Sequence, residues 1–468
     1  MSQGIAPARL AAFEILLKME SGAGHCDELL RTMRVQSLSP QDRNLCTNLV
    51  MGTLRWQIAL DAQVTRLLSR PDVKLADGIR VALRLGAFQL LHLDRIPAHA
   101  AISESVEIAK FGGEGFAAGM VNAVLRKLAV AGPPKIPARF RNAAELAAAY
   151  AHPAWMVERW VQFYGMERTR QICRFDQEPP PTTVRLAVDP DTAEARVIED
   201  ELKAAGVELA PGAFLTRART VVRGDVTVTE AYRQGRVRIQ DEGSQLVAEL
   251  TRRGERILDC CAAPGGKTAI LAERNPESSV LACDVSGRRL DQMKKLFSGR
   301  EVPGIPGKVS YQVADAADLS AEARFEGAFD LVLCDVPCSG TGTLARNPEI
   351  RHRLNVEALA RQRKRQVEIL RGAMRTVAAG GRVIYATCSL EPEENDAVVA
   401  ACLAEVRGFR RVGFDIAPLV GGVGNECGAI RAEATEALRE TAFEAGCLRT
   451  LPGVHPCDGF FAALLVKD

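Results

Sequence analysis

Two cysteines follow apolar runs 50 residues apart, Cys338 in LVLCDVPCSGTG and Cys388 in YATCSL. Both runs read as buried strands, so both thiols fall at strand ends. In a doubly wound sheet the carboxyl ends of the strands face the ligand crevice. A lone cysteine at a strand end usually only packs. Two at adjacent strand ends, one of them in an Asp-Val-Pro-Cys turn, are candidates for chemistry. The thiolate is the strongest common nucleophile among protein side chains. Spacing alone does not rank the two.

A second stretch, DCCAAPGGKT (Asp259–Thr268), ends like a nucleotide-binding loop, but GxxxxGK[ST] needs glycine where Cys261 stands. GxGxxG is absent too. What remains is a strand, a Pro-Gly-Gly turn and a helix. Gly265 and Gly266 lack a Cβ, so a ligand can approach the backbone, and the N–H groups at the helix start favour a carboxylate. Asp284 ends the next strand, 18 residues past Gly266, where an α/β fold holds a ribose diol. Asp315, ending a third strand, suits an adenine amino group. A ligand with ribose, adenine and a carboxylate fits S-adenosylmethionine. The alternatives are a relaxed dinucleotide site or a purely structural turn.

An electrophilic methyl donor needs no enzyme nucleophile to methylate an amine. C5 of a pyrimidine is too unreactive without one. A thiolate adding to C6 turns C5 into an enamine-type nucleophile, so the cysteines argue for methylation of carbon over an exocyclic nitrogen. Asp335 is placed to donate to, or hold a proton at, the pyrimidine N3, a role that requires partial burial to raise its pKa.

These residues need a scaffold. The chain has 468 residues and a net charge of +2. Its length predicts two to four domains by the rule of roughly 100–200 residues each. Residues 1–132 read as an all-α bundle, with Leu10, Phe13, Leu16 and Leu17 on one helix face. Three prolines in AGPPKIPARF then mark a linker. Residues 150–228 form a small α+β module in which TVVRGD and VTVTEA read as strands. Residues 229–468 alternate strand and helix as an α/β doubly wound, Rossmann-like sheet. Residues 1–150 carry 18 Lys/Arg against 13 Asp/Glu, and RHRLNVEALARQRKRQ has Glu357 as its single acid, which reads as a solvated helix face or a track for phosphates. No run approaches a membrane span, the N-terminus does not read as a signal peptide, and no CxxC pair suggests zinc among the 13 cysteines.

The motifs CAAPGGKT, LCDVPCSGTG, NPEIR, YATCSLEPEEN and DGFFAALL resemble those of the RNA cytosine-C5 methyltransferases. SPQDRNLCTNLVMGTLRW and GMVNAVLRKL are similar to the RNA-binding NusB domain. The combination resembles the bacterial RsmB (Sun/Fmu) family, which methylates C5 of a cytosine in 16S ribosomal RNA. The resemblance implies cofactor contacts at Cys261, Ala262, Ala263, Pro264, Gly265, Gly266, Lys267, Asp284, Asp315 and Asp335. It puts the nucleophile on Cys388 and gives Cys338 the release of the methylated product. Two positions depart from the family pattern. Val336 stands where alanine is usual, and His352 replaces an aromatic, which bears on stacking against a base.

The expected protein is therefore a cytoplasmic, monomeric, S-adenosylmethionine-dependent enzyme without metal or membrane partner. Its substrate is 16S rRNA or a small-subunit assembly intermediate, with the cytosine unpaired or flipped out. The alternatives are a tRNA cytosine-C5 methyltransferase and a non-catalytic RNA-binding factor in ribosome assembly or antitermination. The intact thiol pair argues against the last.

Overall fold

Ser-Pro at residues 39–40 is a helix-start signal, and in the computed structural model Ser39 Oγ accepts from Asp42 N at 3.1 Å with Pro40 in the first turn. The structure describes residues 4–298, 308–319, 322–420 and 428–468. Helices α1 (Pro7–Glu20), α2 (Pro40–Thr65), α3 (Asp77–His92), α4 (Ala98–Phe111) and α5 (Ala118–Ala131) pack their apolar faces around Phe13, Leu49, Leu83, Leu85, Ile108 and Leu125. The buried Arg84 is satisfied by Asp61, at 2.6 Å on each oxygen, and by Glu20 at 2.5 Å. A paired charge is tolerated in a core; an unpaired one is not.

Helix α6 (Ala154–Phe175) is broken at Gly165, whose φ of +78° needs a residue without Cβ. Trp160 is fully buried on it. The sequence pattern groups this helix with the middle module. In the structure the first compact unit runs to Pro179 and also takes Leu344–Arg353, and the second is Pro180–Thr343 with Leu354–Asp468. Within the first unit, Arg351 is buried against the carbonyls of Arg55, Ala151 and Asp176, and Arg55 donates to Ala345 O at 2.7 Å. His352 Nε2 lies 2.8 Å from Leu54 O, so this ring is engaged by backbone.

The second unit opens with a small antiparallel sheet in the order β2–β3–β1–β4: β1 (Thr183–Leu186), β2 (Glu208–Pro211), β3 (Ala218–Arg223) and β4 (Val237–Ile239). Helix α7 (Ala193–Ala204) covers it through Ile198 and Leu202. VTVTEA is not the expected strand. Asp225 accepts from Thr227 N at 2.9 Å and Thr229 Oγ1 from Tyr232 N at 3.3 Å, and these side-chain bonds fold it into a 3₁₀ turn and a short helix. The module is locked to helices α8 (Glu242–Glu249) and α9 (Gly266–Arg274) by buried ion pairs. Arg185 meets Glu249 at 2.8 Å and Glu273 at 3.2 Å, and Arg238 pairs with Glu273.

The large sheet contains β5 (Arg256–Asp259), β6 (Ser279–Asp284), β7 (Val309–Val313), β8 (Phe329–Asp335) and β9 (Val377–Thr387), all parallel in the order β7–β6–β5–β8–β9. The C-terminal strand β10 (Phe461–Lys467) adds antiparallel to β9. Such a sheet is buried on both faces, which explains its near-continuous apolar strands. Helices α10 (Gly287–Ser298) and α11 (Val356–Thr376) belong to its covering layers. Strand order reverses between β5 and β8, so the carboxyl ends of these strands open the crevice. Among the described residues no helix is long and apolar enough to cross a membrane.

Candidate active site

At that switch point lies a cavity of about 370 Å³. Of the residues singled out in the sequence, Cys261, Ala263, Lys267, Asp284, Asp315, Asp335, Cys338 and Cys388 line it. Ala262, Pro264, Gly265 and Gly266 do not; they form the turn beside it. The turn places a further constraint on Gly265. Gly265 sits at φ +107°, and a Cβ there would lie 2.9 Å from Met293 Cγ and 3.0 Å from Phe297 Cζ. At position 265 glycine is required by backbone conformation and by packing on α10. No side chain caps the start of α9, so its first N–H groups are uncapped donors beside the cavity.

Asp284 is buried at the end of β6. Its Oδ1 accepts from Ser286 N at 2.8 Å, and its Oδ2 accepts from Ala263 N at 3.2 Å with Arg289 at 3.7 Å. Asp315 accepts from Ala317 N at 3.0 Å. Two carboxylates at neighbouring strand ends, an uncapped helix start and a half-open cavity fit a ligand with a diol, a donor-bearing base and a carboxylate.

Lys267 Nζ sits 2.7 Å from Asp335 Oδ2 and 5.1 Å from the Phe460 ring centre. Burial works against its ammonium, but Asp335, Cys388 and Asp259 outweigh that and hold its pKa above the ordinary value. Asp259, fully buried below them, accepts from Thr268 Oγ1 at 2.7 Å. Burial, with Asp335 nearby, lifts its carboxyl from 3.8 to about 7 against the pull of Thr268 and Lys267. The folded state therefore keeps this proton longer than the unfolded chain. The stability it carries is whole below pH 3.8 and is lost as the pH rises through about 7. Asp259→Asn keeps an acceptor for Thr268 and is expected to gain on the wild type across that window, by roughly 2–4 kcal/mol between its ends. Denaturant unfolding at pH 4 and pH 8 measures this; an identical difference at both would refute it.

Cys338 and Cys388 come from different strand ends and meet with their sulfurs 3.2 Å apart. Contact with Cys388, burial and the Glu394 charge push the Cys338 thiol well up. Among the described cysteines only Cys261, Cys338 and Cys388 are half-exposed, and all three line the cavity; the others are buried. The two loops are held by backbone as well: Gly342 N donates to Cys388 O at 2.9 Å and Gly459 N to Gly342 O at 2.7 Å.

Sequence reasoning passed over other lining residues. Val285 directly follows Asp284, Arg289 sits in the first turn of α10, and Phe460 precedes β10. Arg365 and Ile369 reach the cavity from the basic helix α11, which buries Leu359, Gln366, Ile369 and Leu370 and leaves Arg361, Arg363, Lys364 and Arg365 exposed. The signal for Arg365 was its position four residues before an apolar one on the same helix face. Among the described residues no group of three or more His, Cys, Asp or Glu side chains could hold a metal ion.

Comparison with known proteins agrees with this architecture. Residues 248–466 match the family model of the 16S rRNA methyltransferase RsmB/F, residues 6–130 the NusB family, and residues 152–226 the ferredoxin-like domain of RsmF/B-like methyltransferases. The chain is 34% identical to a probable ribosomal RNA small subunit methyltransferase B of Bacillus subtilis, over 84% of this chain and 87% of the relative. It is 33% identical to the ribosomal RNA small subunit methyltransferase B of Pseudomonas syringae, over 88% and 90%. The crystal structure of PH0851 covers 99% of each chain with a TM-score of 0.76 at 23% identity, a likeness of fold.

Proposed function

Because the chain belongs to the RsmB/F family of 16S rRNA methyltransferases, we propose that it methylates C5 of a cytosine in 16S ribosomal RNA, using S-adenosylmethionine and a covalent bond from Cys388 to C6. The observation that carries this reading is the thiol pair at 3.2 Å beside the Lys267–Asp335 ion pair, in one cavity with Asp284 and Asp315. A methyltransferase acting on nitrogen has no use for the pair.

Asp284 would hold the ribose diol, Asp315 the adenine amino group and the uncapped start of α9 the carboxylate. When bound, S-adenosylmethionine supplies an electrophilic methyl group on a sulfonium. The rest is work for the chain's own residues. Cys388 adds to C6, and the Lys267–Asp335 pair faces N3, with the ammonium as its proton-bearing member. This shifts the proton donor from Asp335 alone to the pair. Once C5 carries the methyl group, Cys338, having given up its own proton to solvent, takes the C5 proton, the C5–C6 double bond reforms and the Cys388 sulfur leaves as a thiolate. Arg365 at the cavity and the exposed Arg361, Arg363 and Lys364 suit phosphates flanking the target.

Asp284→Ala is expected to weaken S-adenosylmethionine binding by roughly 1.5–3 kcal/mol, the worth of a charge-assisted hydrogen bond. Titration calorimetry checks it, and unchanged affinity would remove Asp284 from the cofactor site. The function itself is tested by bisulfite sequencing of ribosomal and transfer RNA from cells with and without the gene. One cytosine of 16S rRNA should lose its protection in the deletion. Loss at a tRNA position alone would replace the substrate, and no change anywhere would defeat the reading.

A further inference from the structure

Glu394 does not line the cavity, yet it is fully buried and its carboxylate collects four donors. Oε1 accepts from Ser339 N at 2.9 Å and from Gln366 Nε2 at 3.0 Å. Oε2 accepts from the hydroxyls of Ser339 and Ser389. Ser339 is the residue after Cys338, and Ser389 the residue after Cys388. Gln366, on α11, also donates to Pro337 O at 2.9 Å, the carbonyl just before Cys338. Asn395 continues the arrangement, donating to Ser389 O at 2.8 Å and accepting from Thr387 Oγ1 at 2.5 Å, so Cys388 is bracketed on both sides.

We propose that Glu394 is the positioning residue of this reaction: its buried carboxylate ties the loop after Cys338 to the loop after Cys388, and so sets the separation of the two sulfurs. The inference rests on the thiol-dependent methyl transfer proposed above. The two loops leave different strands, β8 and β9, and the 3.2 Å approach of their sulfurs requires both to be fixed. Reacting groups must be held to a fraction of an ångström for attack and release to follow each other. A buried carboxylate with four donors does this better than neutral partners, because charge-assisted bonds are roughly twice as strong.

The carboxylate also puts its charge close to the thiol pair. Around it stand Lys267, Asp335, Asp259, Tyr385, Glu394 and the exposed Arg365. Glu394 bonds the residue after each cysteine, and its negative charge opposes a thiolate on Cys338.

Glu394→Gln separates this from a purely structural role. The new amide keeps Oε1 for Ser339 N and Gln366, and the two serine hydroxyls can turn to accept from its nitrogen. The bonds survive while the charge goes. We expect kcat to fall at least about tenfold, with KM for 16S rRNA and the Kd for S-adenosylmethionine within roughly threefold of wild type. Peptide mass spectrometry after limiting iodoacetamide should show a labelling order of Cys338 and Cys388 in the variant that differs from the wild type's, because the clamp that fixes the two loops is altered. Turnover within about twofold of wild type together with an unchanged labelling order would overturn the proposal. If Glu394→Gln does not hold the cofactor, Ser389→Ala decides. It removes one hydroxyl and leaves Ser339 N and Gln366 in place, so reduced kcat at constant KM supports the clamp and wild-type kcat refutes it. The labelling comparison needs no RNA. A wild-type protein that methylates none would therefore fail the functional reading while still testing the clamp.

Discussion

Cys388→Ala is expected to lose methylation of 16S rRNA by roughly 10⁴-fold or more in kcat, the scale seen when a covalent nucleophile is deleted. It should also form no denaturation-resistant complex with RNA. The loss belongs to chemistry, not to folding. Cys388 is half-exposed, its loop is held through the Cys388 carbonyl by Gly342, and its neighbours Thr387 and Ser389 keep their bonds to Asn395 and Glu394. S-adenosylmethionine affinity, measured by calorimetry, should stay within about twofold, because the proposed cofactor contacts lie on β6, the residues after β7 and α9. Radiolabel transfer from the methyl donor measures the first effect. Retained activity would show that the two sulfurs pack against each other without reacting.

How much of this could be read from residues alone follows from what each residue's neighbours are. Cys338, Cys388, Asp284 and Asp315 were legible because the doubly wound topology itself sends strand ends to one crevice, and the structure does line one cavity with them. The parallel sheet was legible for the same reason: strands buried on both faces read as continuous apolar runs. The fate of VTVTEA was not, because Val and Thr favour strands while the decisive bonds, from Asp225 and Thr229, are local side-chain caps. The packing constraint on Gly265 was not legible, since Met293 and Phe297, which crowd a Cβ there, lie about thirty residues away. Glu394 was hidden by composition. LEPEEN reads as an acidic, solvated turn, and only the fold reveals that three serine and glutamine side chains and a backbone N–H converge on one of its carboxylates. Residues 344–353 pack with the first unit, which no local pattern announces, because a segment's affiliation is decided by partners such as Arg55 that lie far off in sequence.

Cys338→Ala is expected to behave differently from Cys388→Ala, and the difference assigns the roles. Without Cys338 the Cys388 thiolate still adds to C6 and C5 still receives its methyl group. What is missing is the group that removes the C5 proton. A saturated C6 thioether is stable until that proton leaves, since the sulfur departs only as the C5–C6 double bond reforms. The enzyme should therefore stall with RNA attached. A denaturing gel should show a slow band containing protein and RNA, present only with both cofactor and substrate, while multiple turnover falls to near one methyl per enzyme. The 3.2 Å contact makes this a strong test, because the sulfur that attacks and the group that releases must reach adjacent carbons of one ring. The double variant should lose the band, because attack precedes release. A band with Cys388→Ala and none with Cys338→Ala would reverse the two roles, making Cys338 the nucleophile and Cys388 the group that releases the product.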